Sequence, residues 1–106
     1  MTYSHVNYDD VDPVAGGLHF LRDPLGCENL GVSVLNCEPG WEGKAHDHAD
    51  EGHEEVYVLV DGAATVTVDG EDVAMEPGDA VRIPPGAERQ VSNGDAESTF
   101  VLAGAP

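Results

Sequence analysis

EEVYVLVDGAATVTVDGEDVAMEPGDAVRIPPG, residues 54–86, decides the fold. Val56 to Val60 is a β-branched and aliphatic run containing Tyr57, and Ala64 to Val68 alternates Val with Thr. Successive side chains of a strand point to opposite faces, so runs of this composition suit pleated sheet rather than helix. Asp61-Gly62 ends the first run and Asp69-Gly70 the second. Asp-Gly is a hairpin signal because Gly adopts φ > 0 at little cost. Pro77-Gly78 and Pro84-Pro85-Gly86 then bracket short strands at 72–76 and 79–83.

Outward from this stretch, residues 18–22 and 30–35 read as strands separated by the turn-prone DPLG at 23–26. Residues 88–91 and 98–103 add two more, with Asn93-Gly94 as a turn between them. No helical apolar periodicity is sustained, so almost no helix is expected. Many short strands ended by turn chemistry argue for an all-β antiparallel sandwich or barrel. The chain has 106 residues, enough for one core. We expect an arm over 1–16 and a single barrel domain over 17–106. No apolar stretch approaches the roughly 18 residues of a membrane span. The N-terminal MTYSHVNYDDVDP has neither the basic region nor the apolar core of a signal peptide. A cytoplasmic location is the corresponding expectation.

Asp and Glu number 21 against four basic residues, Arg22, Lys44, Arg82 and Arg89, for a formal net charge of −17. Such a surface repels phosphate backbones and anionic lipid, which excludes nucleic acid and membranes as expected partners. The acids are scattered among apolar alternations rather than gathered in a tail, so disorder does not follow. Adaptation to molar salt does: at 1 M the Debye length is about 3 Å and the self-repulsion is screened. A dedicated basic partner is the other explanation. Cys27 and Cys37 are separated by nine residues, a spacing that suits no zinc knuckle, and are expected as small apolar residues beside a strand.

The chemistry lies in GWEGKAHDHADEGHEEV, residues 40–56, which holds three of the five histidines. Period two places His46 and His48 on one face, and relates His53 to Glu55 and Tyr57 in the same way. Folding the Glu55 strand against the His46-His48 segment would gather two imidazoles and a carboxylate. That donor set suits a divalent transition metal such as Zn, Fe, Mn, Ni or Cu. Decoration of an acidic loop is the bland alternative.

The segment resembles the first signature of the cupin superfamily through Gly40, His46, His48, Glu55 and Gly62. Gly78, Pro84, Gly86 and Asn93 resemble the second. The resemblance implies a small jelly-roll barrel with an interior metal, held by His46, His48 and Glu55, and a homodimer as the default assembly. Two departures qualify it. Six residues separate His48 from Glu55, where the family gap is three or four, and His53 lies in that extension. Arg89 stands where the second signature places its ligating His, and a guanidinium cannot ligate a metal. His53 or water then completes the shell, or no metal binds and Arg89 pairs with Glu55. Arg89 is expected to point inward and to need an anion, either Glu55 or a ligand carboxylate. Tyr57 and Trp41 are candidates for lining a small-molecule pocket, and Arg82 is expected to face solvent. Three function classes follow: metal-assisted chemistry on a small molecule, a ligand- or metal-sensing barrel without turnover, and a metal-free structural barrel.

Overall fold

The computed structural model describes residues 2–106. Eight strands form two antiparallel sheets: β1 (Leu18–Phe20), β2 (Gly31–Cys37), β3 (Glu54–Asp61), β4 (Ala64–Val68), β5 (Glu71–Met75), β6 (Ala80–Ile83), β7 (Arg89–Asn93) and β8 (Ser98–Ala105). The larger sheet runs β1-β2-β8-β3-β6 and the smaller β5-β4-β7. This is the all-β antiparallel architecture expected from the strand and turn pattern, in the jelly-roll form that the cupin resemblance implies. A 3-10 turn at Tyr8–Asp10 precedes the sheets. Among the described residues no helix is long and apolar enough to cross a membrane.

Alternation builds the core. Leu35, Tyr57, Leu59, Val66, Ile83, Val91 and Phe100 are buried. Leu35 and Leu59 both sit opposite Phe100, one on each neighbouring strand, so three large side chains share one rank inside the larger sheet. Tyr57 meets the Phe100 ring edge to face at 6.5 Å between centroids. Arg82 faces outward, where it pairs with Glu54 at 2.8 Å.

The two Asp-Gly pairs behave differently. Asp69 and Gly70 have φ of +49° and +81°, the signs a type I′ turn requires, and close the β4–β5 hairpin. Asp61-Gly62 closes no hairpin, contrary to the sequence expectation. β3 pairs with β6 and β8, β4 with β5 and β7, and the chain crosses between sheets at this point. Gly62 (φ +85°) is needed there because a Cβ would lie 2.4 Å from the Glu97 carbonyl oxygen. The segment DPLG also departs from expectation. β1 ends at Phe20, and Arg22–Leu25 form a single helical turn, α1, ended by Gly26 at φ +72°. Pro24 fits that turn because first-turn N–H groups have no intrahelical acceptor.

Residues 41–48 run antiparallel along the edge of β7 as an interrupted strand. Their bonds are Asn93 N–H to Trp41 O, Gly43 N–H to Val91 O and a reciprocal pair between His46 and Arg89. Glu42 sits opposite Ser92, but His46 sits opposite Arg89, so the segment carries one extra residue between them. That is a β-bulge at Lys44-Ala45. The Gln90 amide clamps it by donating to Glu42 Oε1 at 3.0 Å and to the Gly43 carbonyl at 2.9 Å. Asn93 ties the opposite end by donating to the Glu38 and Ala96 carbonyls at 2.7 and 2.9 Å.

Candidate metal centre and ligand cleft

The bulge decides which way the histidines point. In unbroken register Ala45 would face Arg89; the extra residue puts His46 there instead, on the inward face that Arg89 shares with Val91. His48 follows two residues later, its N–H bonded to the Pro85 carbonyl at 2.9 Å. From the other sheet, Glu55 projects inward from the start of β3, on the face that carries Tyr57 and Leu59.

His46, His48 and Glu55 offer ligand atoms that all lie within 4.8 Å of one another. His46 Nδ1 is 3.0 Å from the Lys44 carbonyl, which can only accept, so this nitrogen donates and Nε2 keeps its lone pair. His48 Nε2 faces Glu55 Oε1 at 3.0 Å. Two donors about 2.1 Å from one ion, at the angles of tetrahedral or octahedral geometry, lie roughly 3.0–3.4 Å apart. The His48–Glu55 pair has that spacing, and His46 is exposed, leaving its ring room to swing in. The donor set fits a two-His, one-carboxylate centre.

Arg89 is the departure. Its side chain is fully buried, and NH1 donates to Glu55 Oε1 at 2.7 Å. Nε and NH2 donate to the Ala87 and Pro84 carbonyls at 3.0 and 2.7 Å. A buried cation is costly unless paired and hydrogen-bonded, and this one is both. Tyr57 OH reaches the same Oε1 at 3.4 Å. Burial, and after it the negative charge of Glu55, pushes the Tyr57 phenol far above its ordinary value, so it stays protonated. Glu55 Oε1 therefore accepts from two donors and faces His48 Nε2, while Oε2 accepts no hydrogen bond among the described residues.

His53 stands apart from the three. Its ring lies 6.3 Å from that of His48, in a recess that it lines together with Glu55, Phe20, Arg22 and Ser33. Trp41, Tyr57, Arg89 and His46 instead meet around one cleft of about 180 Å³, walled by Leu18, Leu35, Val91 and Leu102. Trp41 is fixed there by an indole N–H bond to the Ala15 carbonyl at 3.0 Å. Sequence reasoning missed the bulge and its Gln90 clamp. No local signal marks either, because a bulge is defined by the partner strand. Cys27 and Cys37 are both free thiols, and burial pushes the Cys37 thiol up.

The sequence profile described as Cupin domain matches residues 33–104. Among solved structures, a cupin protein from Bacteroides fragilis is 27% identical, superposes with a TM-score of 0.81, and is covered over 85% of its chain by 99% of this one. A protein from Thermus thermophilus is 23% identical with a TM-score of 0.76, covering 97% of each chain. A cupin-superfamily sugar phosphate isomerase from Silicibacter pomeroyi is 22% identical with a TM-score of 0.78, covering 96% of this chain and 75% of that one. The last two likenesses speak to fold alone. No curated protein matches this sequence.

Proposed function

We propose that this chain, which belongs to the cupin domain family, holds a divalent transition metal at the barrel mouth beside a cleft for a small molecule. The observation that carries the reading is the convergence of His46, His48 and Glu55 within 4.8 Å. Two imidazoles and one carboxylate suit Fe, Mn, Zn, Ni or Cu, and a bound ion of this class would supply a Lewis-acid centre with open coordination positions. The chain's own residues do the rest. Lys44 O orients His46, Arg89 and Tyr57 hold Glu55 in place, and Leu18, Leu35, Val91 and Leu102 give the cleft apolar walls.

Titration of chelator-treated protein with Mn²⁺ and Zn²⁺ tests this. We expect one site, weakened at least about tenfold in His46→Ala, whose exposed side chain can be removed with little loss of stability. Equal affinity in wild type and variant contradicts the assignment. A second reading is favoured by the Arg89–Glu55 contact of 2.7 Å: an internal cation pairs with the carboxylate, and the barrel works without metal. Titrations showing no site in the wild type would select it.

Three finer readings accompany this one. Net charge −17 with a single lysine supports a salt-adapted source. Two unpaired cysteines support a reducing, cytoplasmic setting. A homodimer is supported by the outer face of the larger sheet, where Val34, Val101 and Val58 are cross-strand neighbours and only half-buried. On a body this acidic, a second copy approaches most easily over such an uncharged surface. Sedimentation at two protein concentrations checks that point.

A further inference from the structure

The cleft departs from the rest of the molecule in charge. The chain carries 21 acidic residues, yet no Asp or Glu is among the described residues that line the cleft, whereas Lys44, His46 and Arg89 are. The fates of the four basic residues sharpen the contrast. Arg82 and Arg89 pair with Glu54 and Glu55. Arg22 donates to the carbonyls of Cys27 and Glu28. Lys44, the only lysine, makes neither an ion pair nor a side-chain hydrogen bond among the described residues, and it stands exposed on the cleft's lip. In a body with five carboxylates for every cation, Lys44 is the one basic side chain left without any partner among the described residues. Its position also follows from the bulge it helps to form beside His46.

We infer that this cleft binds a small carboxylate with an apolar body, its anionic end drawn to Lys44 and its body seated on Trp41 and the aliphatic walls. The inference rests on the proposed ligand-binding function for its location, but not on the presence of metal. Arg89 borders the cleft, but its side chain is fully buried and its charge is offset by Glu55. The uncompensated attraction therefore comes from Lys44. Size limits the body. A cavity of about 150 Å³ takes a benzene ring, so about 180 Å³ admits one ring or a branched chain of similar volume. The aromatic floor and apolar walls disfavour a polyol, whose hydroxyls would be left without partners.

The test uses the single tryptophan. Trp41 gives one indole N–H resonance in a proton–nitrogen spectrum, which reports occupancy of the cleft directly. Chelator-treated protein is titrated at constant ionic strength with benzoate, benzyl alcohol and benzylamine, then again with one equivalent of Zn²⁺ present. We expect benzoate to bind about tenfold or more tightly than benzyl alcohol, and benzylamine most weakly. Lys44→Gln should bring benzoate and benzyl alcohol to similar affinity, leaving the alcohol unchanged. Equal binding of benzoate and benzyl alcohol to wild-type protein overturns the inference. So does benzoate binding that requires Zn²⁺ and ignores Lys44→Gln, because the metal then holds the carboxylate. Benzoate binding that depends on Lys44 in protein with no metal affinity upholds the inference while the metal reading fails.

Discussion

Replacing Arg89 by Met should be among the most damaging single changes in this protein. The Arg89 side chain is fully buried and reaches three acceptors in different directions: Glu55 Oε1 at 2.7 Å, the Pro84 carbonyl at 2.7 Å and the Ala87 carbonyl at 3.0 Å. Met replaces the aliphatic stem but ends near the Nε position, so the loss of the guanidinium's charge and bonds dominates, with a small cavity beside it. Removing one partner of a buried pair strands the other charge and costs about 3–5 kcal/mol. Glu55 keeps partial access to water and the His48 and Tyr57 contacts, which places the expectation near the low end, about 3 kcal/mol. For a domain of this length that is a melting-temperature drop of roughly 12–24 °C. Arg89→Lys should fall between, because one ammonium cannot serve three divergent acceptors at once. Thermal unfolding followed by circular dichroism, in high salt and without metal, reads the series. The double variant Arg89→Met/Glu55→Leu should recover a measurable part of the loss, since no charge is then stranded. A single Arg89→Met variant melting within about 3 °C of wild type, under about 1 kcal/mol on that scale, refutes the reasoning.

Exchanging Ala45 and His46, which takes the imidazole off the position opposite Arg89 without changing the chain length, should lower metal affinity at least about tenfold while the sheets persist; unaltered affinity with an intact fold contradicts the role given to the bulge. Gly62→Ala drives a Cβ to 2.4 Å from the Glu97 carbonyl at φ +85°, and should destabilise by about 1–3 kcal/mol, read as a lowered urea midpoint. Raising KCl from low millimolar to molar should raise the melting temperature of the wild type steeply, and much less in a variant with several exposed acids made neutral. A wild-type melting temperature indifferent to salt counts against the salt-adapted reading.

What the sequence discloses here is local chemistry, and what it hides is partnership. β4 is legible to the residue, because Val and Thr alternate between two turn signals and the pleat does the rest. The inward direction of Arg89 follows from strand parity, and its burial beside Glu55 agrees with the need of an inward cation for an anion. The two Asp-Gly pairs show the limit. They are identical as dipeptides, yet one closes a hairpin and the other carries the chain between sheets, because the outcome depends on where β8 lies. The same limit applies to His46 and His48. Period two places them on a common face, but which face depends on an extra residue counted against β7, a strand far along the chain that pairs His46 with Arg89. The single turn at Arg22–Leu25 is too short for any helical period to announce it. His53 keeps its step with Glu55, and the two line one recess, but it precedes the strand and falls outside the three converging side chains.

The central claim is that His46, His48 and Glu55 together hold a metal despite the guanidinium at Glu55. Elemental analysis of protein purified in high salt, without chelator and without a histidine tag, tests it most directly. The account predicts about one equivalent of a divalent transition metal per chain in the wild type, and none in His46→Ala/His48→Ala protein of unchanged circular dichroism. A wild-type protein free of such metals, or a double variant that retains them in the same amount, contradicts it.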